Sequence, residues 1–237
     1  MKLRPYPYNT RPPQQGIALL TVLVLLLLSL TAVLGALRYS NLNEAMLGNT
    51  SDYNLTFAAA EALVKDAERD IRARRATAKA GEPFFPINSQ DMDNVETLVA
   101  TNMPDKTVRC WKGICMPLKA TDLENFETNP VTLAAMKKDN VGAKYGEFTG
   151  VVIDSKNPPG DVNPALIEQN NRKSRYWVEA FRYGEAVNSG AVAANAALPT
   201  MEAPYIYRIT AIAQGRKEGT RVVIRSIFVP YPSSQNQ

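Results

Sequence analysis

Residues Ile17–Leu37 read IALLTVLVLLLLSLTAVLGAL, without a charge, an Asn or a Gln. As a helix these 21 residues rise about 1.5 Å each, roughly 31 Å, which matches a hydrocarbon core of about 30 Å. Arg38 closes the run. Lys2, Arg4 and Arg11 precede it, and no acidic residue occurs before Glu44. The positive-inside rule then keeps residues 1–16 in the cytoplasm and sends residues 38–237 outward. A cleaved signal peptide is the competing reading. Its apolar stretch is usually about 7–15 residues, and no convincing small-x-small cleavage site precedes Arg38. A retained single span is the expectation.

Charge and composition narrow what the exported part can do. The chain has 27 basic and 23 acidic residues, and the three leading cations account for most of the excess. The region from Arg38 onward is nearly neutral, which is poor evidence for nucleic-acid binding. The chain has no histidine. That removes imidazole acid–base chemistry, Ser–His triads and imidazole zinc sites, and two cysteines cannot build a four-thiolate site. No metal, cofactor or enzymatic activity is expected.

Cys110-Trp-Lys-Gly-Ile-Cys115 brackets a turn-forming Lys112-Gly113. In an oxidising compartment this pair closes a small disulfide loop, worth about 2 kcal/mol on the chain-entropy account. The spacing is not the C-x-x-C of a redox motif.

Beyond the span, Tyr53, Phe57, Ala60, Val64, Ala67 and Ile71 follow one another at gaps of 4 and 3. This is an amphipathic stripe of near-heptad spacing, extended toward the span by Leu42 and Met46, and it predicts helix-to-head packing through those six residues. Asp52, Glu61, Asp66, Glu68, Asp70 and Arg72 are assigned to the other faces. Gly48-Asn49 marks a soft point or short break. A helix from Ile17 to Arg75 is about 88 Å long. Arg69, Arg72, Arg74 and Arg75 are read as cations on a solvated helix C-terminus. The expected organisation is a leader (1–16), a span (17–37), an amphipathic continuation (38–80) and an exported head (81–237).

In the head, Phe84-Phe85-Pro86 tucks inward, and a short helix lies around Val95–Ala100. Strand-like runs flank the cysteine turn at Thr107–Trp111 and Ile114–Leu118, and Pro130–Lys138 reads as a short helix. Glu147–Ile153, Arg175–Tyr183, Tyr205–Ala213 and Arg221–Val229 read as strands, the last two joined by a charged hairpin turn at Gln214–Gly219. Asn157–Gly160 and Ala191–Pro199 read as loops or weak helices. Tyr176, Trp177, Phe181 and Tyr183 alternate across their strand, half toward the core and half toward the surface. The fold class is α+β: a long N-terminal helix, half transmembrane and half amphipathic, packed on an antiparallel β-sheet head.

Three blocks carry a family resemblance. Gln15-Gly16 directly before the apolar run resembles a type IV prepilin processing site. GIALLTVLVLLLLSLTAVLGAL, then MLGN at Met46–Asn49, then FAAAEALVKDAE at Phe57–Glu68 resemble the N-terminal region of PilX-type minor pilins. The resemblance covers about the first 70 residues and implies a pilin-like fold. It implies cleavage between Gly16 and Ile17 by a prepilin peptidase, and N-methylation of Ile17. Most pilins carry glutamate at the fifth mature position. Here that position is Thr21, as PilX-like sequences often lack the acid. The resemblance also implies a minor pilin that primes type IV pilus assembly at or near the tip and supports adhesion and twitching motility. Implied partners are other minor pilins, the major pilin and a PilY-type tip adhesin, with the protein moving from the inner membrane to the pilus. A minor pseudopilin of a type II secretion system and a single-span anchored binding protein remain alternatives.

Overall fold

The computed structural model describes residues 17–116, 130–151, 163–169, 172–184, 199–201 and 203–230. The chain divides into two units, Met1–Thr50 and Ser51–Gln237. Helix α1 (Ile17–Arg72) supplies all the described residues of the first unit. There every side chain from Ile17 to Leu47 is exposed, and the helix is long and apolar enough to cross a membrane. Thr21, Ser29 and Thr31 each donate a hydroxyl hydrogen bond to the carbonyl three residues back, at 2.9 Å. The span therefore brings no unsatisfied hydroxyl into an apolar medium. Gly48-Asn49 does not break the helix as expected. The cost of one glycine, about 1 kcal/mol, is small against the helix on either side.

The second unit, the head, begins with the rest of α1. After it come α2 (Ser89–Asn102), β1 (Cys110–Trp111), β2 (Ile114–Cys115), α3 (Pro130–Met136), β3 (Arg175–Arg182), β4 (Tyr205–Gln214) and β5 (Arg221–Phe228). Asn88 caps α2, its side chain accepting the Asp91 N–H at 2.8 Å. The strands form one sheet in the order β1-β2-β3-β4-β5. The pairings are antiparallel except β2 with β3, which is parallel. The head is thus the expected antiparallel sheet with a long N-terminal helix, and it carries one parallel pair. The long connection from β2 through α3 to β3 leaves room for the crossover a parallel pair requires.

Both faces of the sheet are covered at β3 and β4, while β5 leaves Arg221, Arg225 and Ile227 exposed on one face. Tyr176, Val178, Tyr207, Ile209 and Ala211 join Leu63, Ala67 and Ile71 of α1 and Val95 and Val99 of α2 in the main core. On the opposite face Trp177 and Ile212 pack with Cys110, Cys115, Ala135, Met136 and Val141. β3 is therefore buried along seven of its eight positions, and Trp177 and Phe181 are core rather than surface. Phe85 is fully buried, edge-on to Tyr207 at 5.8 Å, and the Tyr207 hydroxyl donates to the Pro86 carbonyl.

Glu147–Ile153 is not the expected strand. Residues 145–149 form turns, Gly146 and Gly150 both have positive φ, and residues 152–153 lie outside those described. The loops expected at Asn157–Gly160 and at 191–198 also lie outside the described residues.

Candidate functional site

The face that α1 turns into the head comprises Asp52, Thr56, Ala59, Ala60, Leu63, Val64, Asp66, Ala67, Asp70 and Ile71. Of the expected stripe, Ala60, Val64, Ala67 and Ile71 lie on this face. Tyr53 and Phe57 do not: they are 52% and 41% exposed, with ring centroids 6.5 Å apart. A 3.5-residue repeat drifts about 20° per heptad around a straight helix of 3.6 residues per turn. At the N-terminal end of the stripe Asp52 and Thr56 take the inward positions instead.

Three aspartates assigned to outer faces are thus buried, and each is held by specific donors. Asp52 accepts the backbone N–H groups of Arg216 and Lys217, at 2.8 and 3.0 Å, from the β4–β5 turn. Gly215 makes this approach possible, since a Cβ there would lie 2.5 Å from Asp52 Oδ2. Asp66 accepts the Gly146 N–H at 2.7 Å and the Thr149 hydroxyl. Asp70 pairs with Arg75 at 2.7 Å and accepts the Tyr176 hydroxyl at 3.0 Å. One helix face is in this way tied to three separate parts of the head.

Their electrostatics differ. Burial alone would raise the Asp52 pKa. The N–H groups of Lys217 and Arg216, the Thr220 hydroxyl and the Lys217 charge outweigh it and hold the carboxyl below its usual range. Asp66 goes the other way. Burial pushes its carboxyl up, the Thr149 and Gly146 bonds oppose that only in part, and the neighbouring Asp70 charge adds to the rise. Burial, then Asp70, pushes the Tyr176 phenol well above its usual value, so it stays a donor at any physiological pH.

Arg75 corrects the expected solvated cluster. It is 1% exposed, its Nη1 donates to the Lys112 carbonyl at 2.7 Å, and its guanidinium lies 3.7 Å from the Phe148 ring centroid. The helix ends at Arg72, short of Arg75. Arg74 and Arg75 adopt φ of 49° and 53°, which turns the chain so that Arg75 reaches back to Asp70. The ion pair and the ring contact hold a conformation that non-glycine residues seldom adopt.

Cys110 and Cys115 are disulfide-bonded across the β1–β2 pair. Between them Gly113 has φ of 78°, and a Cβ there would lie 2.6 Å from that of Ala143. Its carbonyl accepts the Val178 N–H, so the cysteine loop sits directly against β3. Ile17 opens α1 and is 70% exposed, and Thr21 is exposed with its hydroxyl bonded to the Ala18 carbonyl. Gly16 lies outside the described residues. Among the described residues no group of three or more acidic or cysteine side chains is placed to hold a metal ion.

The buried carboxylates were missed by sequence reasoning, although a signal exists. Asp52, Asp66 and Asp70 share a face with Thr56, Ala59 and Leu63, a second stripe one residue round from the aromatic one.

Residues 91–230 match the family described as type IV pilus assembly protein PilX, C-terminal region. The chain belongs to the PilX family. The match begins in α2 and runs past β5, so it rests on the head. The sequence resemblance lies in the first 70 residues, and the two do not overlap. No curated protein and no solved structure matches the chain. Membership makes this chain a pilin-type component of type IV pilus assembly, a structural part of the pilus rather than a member of a known enzyme family. It implies contact with other pilus components and association with a membrane, with which the exposed apolar part of α1 is compatible.

Proposed function

We propose that this PilX-family chain is a minor pilin that primes the type IV pilus and stays at or near its tip, where it supports adhesion and twitching. The observation that carries the reading is Thr21, a hydroxyl residue at the place where most pilins carry an acid, bonded only to its own helix. In an apolar bundle that acid pairs with the N-terminal ammonium of a neighbouring subunit, and a charge left unpaired there is costly. A subunit without it is poorly drawn onto an existing fibre but can begin one.

Processing belongs to the same proposal: a prepilin peptidase cuts between Gly16 and Ile17, and Ile17 is N-methylated. The apolar span then packs on neighbouring pilin helices in the inner membrane, with Ala32, Gly35 and Ala36 allowing close approach. The head faces the periplasm until assembly. Other minor pilins, the major pilin and a PilY-type adhesin are the proposed partners.

Mass analysis of the N-terminal peptide from membrane-extracted protein is expected to find methylated Ile17. Thr21→Glu is expected to shift the subunit from the tip to positions along the fibre, read by immunogold labelling. An intact Met1, or wild-type labelling already distributed along the fibre, would overturn the reading.

A further inference from the structure

Beside the β4–β5 turn lies a cleft of about 620 Å³. Three distant parts of the chain wall it: Lys137 just after α3, Gln169 and Arg172 before β3, and the turn itself with Arg216 and Thr220. Such a volume suits a small organic ligand or a few units of a polymer.

Among the described residues, the lining of the cleft is short of negative charge. Lys137, Arg172 and Arg216 take part in none of the ion pairs among the described residues, although acids stand close by in the fold. Those acids are already engaged. Asp105 pairs with Lys138, Asp139 with Lys173 and Arg175, and Glu168 with Lys144 and Arg175. Asp52 is committed to the backbone of the turn. Glu218, exposed on the turn, is the one acid among the described lining residues. Lys137 registers the imbalance: partial burial, then the nearby Arg221 charge, pushes its ammonium pKa down. A bound anion would reverse that.

We propose that this cleft binds a phosphate-bearing ligand, gripped by the guanidinium groups of Arg172 and Arg216 and the ammonium of Lys137. Guanidinium groups match phosphate oxygens in a two-pronged geometry, and lysine adds a point charge. Gln169 and Gln214 offer neutral side-chain amide groups beside them. The described lining contains no aromatic ring, so it provides no platform on which a base could stack. Recognition is therefore of the phosphate group, whether on a small molecule or along a phosphodiester chain. The site does not depend on the pilus-tip reading, because it uses only head residues and equilibrium binding.

The test is equilibrium dialysis of the full chain in a neutral detergent, with inorganic pyrophosphate in one arm and a short abasic phosphodiester oligomer in the other. Saturable binding of either probe is expected, and the tighter arm tells the free ligand from the polymer. Lys137→Gln, Arg172→Gln and Arg216→Gln should each weaken binding about tenfold, the loss expected for one charge-assisted hydrogen bond. Arg182→Gln, an exposed cation outside this cleft, should leave it unchanged. In the unaltered chain, the probe should protect the Lys137 amine from acetylation, a readout that needs no variant to fold. No saturable binding of either probe, equal loss in Arg182→Gln, or unprotected Lys137 would overturn the proposal.

Discussion

From Ile17 to Leu47, α1 exposes every side chain, and the hydroxyls of its apolar run bond only to their own backbone. From Ser51 to Arg72 the same helix buries ten residues, three of them aspartates. The first stretch is built for surroundings that offer polar groups nothing, so it carries no charge through Leu37. The second is built for a partner that offers aimed donors, so it can bury Asp52, Asp66 and Asp70. The decisive quantity is not how hydrophobic a helix face is. It is whether a hydrogen-bond donor waits where the face lands.

The sharpest way to break this contrast is to put carboxylates where nothing waits for them. Replacing Leu26 and Leu27 together by Asp should cost about 5–7 kcal/mol of membrane insertion, from roughly 2.5–3.5 per residue at a helix centre. Alkaline extraction of membranes should then release the chain. Full retention would mean the span finds polar partners in the membrane. Next in size is Asp70→Ala, which leaves Arg75 buried and unpaired and removes the acceptor of Tyr176. Breaking a buried pair from one side costs about 3–5 kcal/mol. The urea midpoint of the detergent-solubilised chain should fall accordingly, and a loss below about 1 kcal/mol, the scale of a surface pair, would count against this anchor.

The smallest effect is the most discriminating, because its sign differs between two residues of one helix. Asp52 has a depressed pKa, so its contribution is present above the unfolded carboxylate range and is lost as pH falls through its folded value. Asp52→Asn should destabilise at pH 7 by about 1 kcal/mol and flatten the acid limb of the stability curve. Asp66 has a raised pKa, so its contribution is full below the unfolded value and is lost as pH rises through its folded value. Asp66→Asn should be as stable as the parent or more so at pH 7. Any advantage should shrink toward pH 4, since an amide keeps the Gly146 acceptor without burying a charge. Thermal melts of both variants across pH 3–8 read this, and parallel curves would end the distinction.

The elements with a strong local pattern were legible in the chain itself. The apolar run and the β-branched and aromatic strands β3, β4 and β5 came through within one or two residues, because periodicity and turn chemistry act over short distances. Pro130 likewise marked the start of α3. The family was also visible at the N-terminus, in the Gly16–Ile17 junction and the PilX-like blocks. The misreadings cluster where a distant partner decided. Tyr53 and Phe57 match a helical stripe as well as Ala59 and Leu63 do, and only the position of the β4–β5 turn puts Asp52 inward. Arg75 looked like a solvated helix end until Asp70, Phe148 and the Lys112 carbonyl closed around it. Glu147–Ile153 had strand composition, yet Asp66 drew Gly146 and Thr149 into a turn.

By itself the amino-acid order determined an uncharged span of membrane length, an amphipathic continuation, a disulfide-spaced cysteine pair and the main strands. Each depends on neighbours along the chain, and hydrophobic spacing records those directly. Tertiary structure alone decided which side of α1 faces inward, that β2 runs parallel to β3, and that Lys137, Arg172 and Arg216 meet at one cleft while Asp105, Asp139 and Glu168 are paired elsewhere. Near-neutral overall charge hid that cleft. A net charge sums over the chain, whereas a ligand responds to the few groups that folding brings within hydrogen-bond reach.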